Sequence, residues 1–356
     1  MNKGNRGEWS ELLVFLKLLS EGKLYAADSK LNKLNNIYYD IIKILREDSC
    51  ENKEYYYDSI IKIKSSNGEL LEEIPVLEFK EKAEFLLEKI KESKGSFSIE
   101  GIEGFLKKIR ISKIKSKSSK KRDISMIVHD PQAGYNPELG FSIKSRLGSP
   151  STLLNAGKTT NFIYELEGVV LDDKEIEDIN SFQFIKEKIE KIKSNGGILK
   201  YRKMREPNFE LNLQVIDSQF PIIASELIRY FYEFGISKIS DLILKITDNN
   251  PCEFNQNNSH KFYKIKIKNF LINVALGMTL SKVWDDQFDA TGGYIIVKEN
   301  GDVLCYHVYN RDQFGDYLLN NTKLDTASTS RHNFGNIYKE NGKFFMNLNF
   351  QIRFIK

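Results

Sequence analysis

Histidine and cysteine are scarce in this chain, with four of the first and three of the second among 356 residues. Cys50, Cys252 and Cys305 lie far apart and show no CxxC spacing. That excludes a disulfide framework or a cysteine zinc site and leaves reduced thiols. His129, His260, His307 and His332 are equally scattered, so a histidine-rich metal centre is excluded as well. Any metal would be held by oxygen ligands, the donor set that suits Mg2+ and its relatives. No apolar run approaches the roughly 18 residues that span a bilayer. The opening residues interrupt their apolar positions with Glu8, Glu11, Lys17 and Glu21, unlike a signal peptide, and the expected location is cytoplasmic. Charge of one sign is also lacking: 53 basic against 49 acidic residues leave a net +4, which by itself barely favours a nucleic-acid partner.

Hydrophobic residues make up 41% and charged residues 29%, the proportions of an ordinary globular protein with a sizeable core. Residues 9–20 (WSELLVFLKLLS) place Leu12, Phe15, Leu16 and Leu19 on one helical face, and Gly22 is the stop. A helical insertion is expected at about 30–95, from LNNIYYDIIKIL and FKEKAEFLLEKIKES, with a short apolar run at Ile60 to Ile63 between them. From Arg110 the pattern turns to strands. ISMIVHD and GFSIKS, joined by the turn residues PQAGYNPE, form a hairpin. SPSTLLNAG reads as a serine cap with a short helix or loop, NFIYELEGVVLD as a third strand, and KEIEDINSFQFIKEKIEKIKSNGG as one long amphipathic helix. Further helices follow near 220–248 and 259–275, then the strands GGYIIVKE, VLCYHVYN, GNIYKE and KFFMNLNFQIRF. The expected class is α/β, with residues 1–215 as one region and 216–356 as a mixed α+β region.

The hairpin carries the chemistry. Asp123 opens one strand and Lys144 lies on its partner. Strand side chains alternate, so Ser142 and Lys144 share a face while Phe141 and Ile143 take the other. An acid and an ammonium at one end of a sheet suit phosphodiester hydrolysis, where carboxylates fix a divalent metal and a cation stabilises developing charge. The preceding run RISKIKSKSSKKRD, Arg110 to Asp123, is a solvated edge or a phosphate-contacting segment, and its place beside the hairpin favours the second. Asp130, before Pro131 at the far end of its strand, reads as a turn residue.

This arrangement resembles the PD-(D/E)xK nuclease superfamily, whose core is a helix, a hairpin, a third strand and a second helix. Gly7 followed four positions later by Glu11 is similar to the first helix of that superfamily, where a glutamate completes the metal site. Ser142 departs from the pattern, which has an acid there. The replacement would be Glu11, Glu8 or Glu165, and Glu11 has the usual place. A longer likeness is carried by NRGEWSELLVFLKLLSEGKLYAAD, GFSIKSRLGSPSTLLNAGKTTNFIY, GGYIIVKENGDVLCYHVYN, NNTKLDTASTSRHNFG and LNFQIRF, which resemble the HpaII family of type II restriction endonucleases. The resemblance implies Mg2+-dependent cleavage of double-stranded DNA at CCGG, 5′ overhangs, and a cognate cytosine-5 DNA methyltransferase that protects the host.

Two polar segments are candidates to read that DNA. One supplies Arg146, Ser149, Thr152, Asn155 and Lys158, although its serines equally suit a helix cap. The other supplies Lys323, Ser328, Ser330, Arg331, His332 and Asn333. A palindromic site invites a two-fold homodimer, one subunit per strand. The rival readings are a structure-selective nuclease with the same core and a non-catalytic DNA-binding protein that has lost the acid at Ser142.

Overall fold

The computed structural model describes residues 2–48, 51–115, 122–130 and 134–355, so Cys50 and part of the basic run lie outside the described residues. Helix α1 (Arg6–Glu21) begins at a reciprocal cap: Asn5 accepts from the Glu8 amide, and Glu8 accepts from the Asn5 amide. It ends at Gly22, whose φ of 65° is left-handed and whose missing Cβ makes room for the Tyr57 ring. Its expected apolar stripe is buried, but so are Trp9, Leu13, Val14 and Leu18, because α1 is covered on one side by a sheet and on the other by α2 (Val76–Glu92).

That sheet has nine strands. In chain order they are β1 (Lys23–Ala27), β2 (Lys33–Glu47), β3 (Asn52–Tyr56), β4 (Ile60–Ser65), β5 (Leu70–Pro75), β6 (Ile124–His129), β7 (Glu138–Ser145), β8 (Gly293–Val297) and β9 (Val303–His307). Their spatial order is β1-β9-β8-β7-β6-β2-β3-β4-β5, and β1 also pairs with β2, which closes a circuit of six strands. The pairs β7–β8 and β9–β1 are parallel, so the sheet is mixed.

Several expectations are corrected here. The region expected as a helical insertion at 30–95 holds four strands and one helix. LNNIYYDIIKIL lies within β2, because its tyrosines and isoleucines fit a pleated surface and tertiary pairing decided between two allowed periods. FKEKAEFLLEKIKES is helical as expected. SPSTLLNAG holds a short strand, Thr152–Leu154, paired with Ile352–Phe354. The expected single helix after residue 172 is two, Asp173–Ser181 and Ile185–Ser194.

NFIYELE is a strand (Asn161–Glu167), but it belongs to a second, antiparallel sheet with Ile198–Met204, Lys343–Asn349 and Ile337–Glu340. The strand beside β7 is instead β8, from the far half of the chain. A parallel neighbour requires a long crossover, and here the crossover contains two strands of the second sheet, Asn161–Glu167 and Ile198–Met204, and the helices Phe220–Phe234, Ile239–Asn249 and Phe262–Leu276. Both sheets therefore draw strands from either side of residue 215. The division is between cores. On β8 and β9, Ile295, Val297, Val303 and Cys305 face the core around α1, while Tyr294, Ile296, Leu304 and Tyr306 face the core of the second sheet. These strands are apolar on both faces because both faces are covered. Among the described residues, no helix is long and apolar enough to cross a membrane.

Candidate active site

Asp123 stands at the mouth of the β6–β7 hairpin, one residue before β6. Its amide donates to the Phe141 carbonyl at 2.8 Å. Its Oδ2 accepts from the Ile143 amide at 2.7 Å and from the Ser142 hydroxyl at 3.3 Å, which leaves Oδ1 without a donor among the described residues. The carboxylate is thus held on one oxygen and open on the other. Ser142, nearly buried, supplies a hydroxyl to Asp123 where the superfamily pattern has an acid.

The strand register confirms the expected alternation. Phe141 and Ile143 join the core around α1, whereas Ser142 and Lys144 pair with Tyr294 and Ile296, which face the other core. Lys144 is half-buried and has no ion-pair partner among the described residues.

Glu11 comes from the second turn of α1. That helix is pinned by Arg6, whose guanidinium donates to the Leu147 and Ser93 carbonyls, both at 2.8 Å, and by a 2.8 Å bond from the Ser10 hydroxyl to that of Ser145. Burial, and then the negative charge of Asp123, raise the Glu11 carboxyl to about 7; Glu8 adds to this, while Lys115 and Lys144 oppose it. Glu11 lines one cleft with Asp123, Arg46 and Arg122, and an adjoining one with Lys144, Arg6 and Ser149. Two carboxylates in one another's field, one of them open, make an oxygen site that a hard divalent cation would relieve. Among the described residues no cluster of three or more acids, histidines and cysteines exists, so water and phosphate would complete such a shell.

The other candidate acids lie elsewhere. Glu8 is committed to the α1 cap. Glu165 is on the second sheet, paired with Arg202 at 2.8 Å and Lys343 at 3.0 Å, and is not brought to Asp123. Asp130 is buried at the opposite end of β6, where it accepts from the Tyr309 hydroxyl at 2.7 Å.

A sequence model of the HpaII restriction endonuclease family matches residues 5–354. The chain belongs to that family. It is 47% identical to the type II restriction enzyme HpaII of Haemophilus parainfluenzae, over 99% of this chain and 98% of that protein. No solved structure matches the chain. As a member of the HpaII family it is a site-specific type II restriction endonuclease, a class that acts on double-stranded DNA and needs a divalent metal.

A restriction endonuclease must also read bases, and the fold distributes the nominated side chains. Ser149 is exposed beside the cleft that holds Glu11 and Lys144. Arg146 is half-buried near Tyr306 and Tyr317, with its amide bonded to the Val297 carbonyl at 2.9 Å. Thr152 is half-buried in its short strand, and Asn155 and Lys158 are exposed beyond it. Ser328, which hydrogen-bonds Ser330, caps the helix Thr329–His332, while Lys323 sits on the strand Thr322–Leu324. Arg331 and Asn333 are exposed and His332 half-buried; the carbonyls of His332 and Asn333 accept from Asn161, which ties the two nominated segments together.

Sequence reasoning missed Arg46. It is buried in the cleft with Glu11, and its Nη2 donates to the Lys113 and Ile114 carbonyls at 2.6 and 2.7 Å, tying down the start of the basic run. Once β2 is read as a strand the signal is visible, since Ile44 and Arg46 alternate onto one buried face.

Proposed function

We propose that this enzyme cleaves double-stranded DNA within CCGG, leaving 5′ overhangs, on a PD-(D/E)xK-type core with Mg2+ held by Asp123 and Glu11. The observation that carries the proposal is that Glu11 of α1 and Asp123 of the hairpin line one cleft and lie in one another's field, with Lys144 on the adjoining strand free of ion pairs among the described residues. Mg2+ bound there would supply Lewis acidity to the scissile phosphate and lower the pKa of a bound water. Ser142 and the Ile143 amide orient the Asp123 carboxylate so that Oδ1 is presented outward. Glu11, as its carboxylate, would be the second side chain to hold the ion. Lys144 orients the attacking water and stabilises the charge that builds on phosphate as the P–O bond to the leaving oxygen breaks. One α1, pinned by Arg6 and Ser10, keeps these groups in register.

A two-fold homodimer would present one such site to each strand of the palindrome. A cytosine-5 methyltransferase of matching specificity would protect host DNA. Digestion of a plasmid of known sequence tests the reading. Discrete fragments whose ends map to CCGG, abolished by EDTA and restored by Mg2+, are the expected result. Cleavage only at branches or lesions would instead identify a structure-selective nuclease.

A further inference from the structure

The second sheet carries a buried amide cluster that the proposed chemistry does not use. Asn161 and Asn349 lie opposite each other on its central strands, and both are buried. The Asn349 Nδ2 donates to the Asn161 Oδ1 at 2.6 Å, to the Gly157 carbonyl at 2.8 Å and to the Thr160 hydroxyl at 3.1 Å. The Asn161 Nδ2 donates to the carbonyls of His332 at 2.9 Å and Asn333 at 3.1 Å. The Asn161 carbonyl accepts from the Arg205 amide at 2.9 Å. The side chains of one asparagine pair thus fasten two segments, 157–160 and 332–333, and the main chain of Asn161 holds a third at Arg205.

Burying amides is costly unless their groups are bonded, and an apolar pair would fill the space as well. What the amides add is position. Each fastened segment ends in an exposed cation: Lys158, Arg205 and Arg331. None of these has an ion-pair partner among the described residues. Of the acids on the same sheet face, Glu165 is answered by Arg202 and Lys343 and Glu167 by Arg202 and Lys200, while Glu340 stands at the edge beside Tyr338. The surface is therefore net positive, rigidly mounted, and rich in unused donors.

We infer that these segments form one DNA-reading surface centred on Asn161, in which Arg205 and Arg331 read guanine edges, Lys158 meets a phosphate, and Asn161 and Asn349 are positioning residues. The guanine assignment rests on the CCGG reading. Arginine is the side chain whose paired donors match guanine, whereas a lone lysine serves best as a phosphate contact.

The test measures binding of the full chain to a CCGG duplex and to a scrambled duplex, with Ca2+ replacing Mg2+, over a range of salt. Arg205→Ala and Arg331→Ala are expected to weaken CCGG binding by roughly 5- to 150-fold and scrambled binding much less. Lys158→Ala should weaken both equally and lower the salt slope by about 1. Asn161→Ala should raise KM with kcat nearly unchanged; a fall in kcat at constant KM would overturn the positioning role. A double Arg205→Ala, Arg331→Ala variant that binds both duplexes as the wild type does would overturn the surface. If the wild type fails to prefer CCGG, the CCGG specificity fails instead. The surface is then judged on the scrambled duplex alone, where unchanged affinity and salt slope in a triple Lys158→Ala, Arg205→Ala, Arg331→Ala variant would overturn it.

Discussion

In the nine-stranded sheet, Glu11 and Asp123 share a cleft with too few partners, and the Glu11 carboxyl is raised to about 7. In the four-stranded sheet, Asn161 and Asn349 are bonded to each other and to neighbouring segments, while Lys158, Arg205 and Arg331 are exposed with no ion-pair partner among the described residues. One region keeps its tension inside and its answer must come from solution; the other spends its buried amide donors on fixing position, with the Asn349 Oδ1 left over, and presents its charge at the surface. Chemistry wants the first arrangement, because a poised, uncompensated charge favours metal and transition state. Reading wants the second, because side chains must be held still before they can discriminate.

The contrast breaks first at Asp123. Asp123→Ala should lower the single-turnover cleavage rate by roughly 10³-fold or more, while the CCGG duplex still binds in Ca2+. A variant that retains rapid cleavage would remove the poised carboxylate from the mechanism. Lys144→Ala should cost roughly 10²- to 10³-fold, measured the same way, with KM little changed.

Glu11 sharpens the contrast by stability. Its folded pKa is raised from 4.5 to about 7, so in metal-free protein its stabilising contribution is full below pH 4.5 and is lost as the pH rises to about 7. Glu11→Gln should therefore raise the melting temperature in EDTA at pH 8, by an amount equivalent to about 1–3 kcal/mol, and abolish the gain that added Mg2+ gives the wild type. An unchanged melt in EDTA would show that the carboxyl is not strained. The smallest effect belongs to Glu165. Glu165→Gln weakens two ion pairs whose cations, Arg202 and Lys343, remain solvated, and should shift the melting temperature little, with cleavage retained; a loss of cleavage would return Glu165 to the metal site.

The parts of the site visible in the sequence were those carried by local pattern. Asp123 precedes an alternating strand, Lys144 ends another, and Glu11 lies on a helix whose cap and glycine stop can be read directly. What stayed hidden depended on partners far away in the chain. LNNIYYDIIKIL fits two periods, and only pairing with β1, β3 and β6 makes it a strand. Nothing local to Gly293–Val297 says that it lies beside β7 rather than Asn161–Glu167. Arg46 was concealed by the first of these errors. Asn161 and Asn349 looked like ordinary strand polars, since their meaning lies in the carbonyls of Gly157, His332 and Asn333, from two other segments.

The position of β8 has a consequence for synthesis. Lys144 rests on a strand whose parallel neighbour begins at Gly293, a residue with φ of 116° where a Cβ would strike the Tyr306 carbonyl. A ribosome that has made the hairpin and α1 has made the catalytic side chains but not the wall behind them. Long-range pairings of this kind form late and slowly. On the proposed mechanism, the strand that carries Lys144 gains its parallel neighbour only after the far half of the chain has folded back.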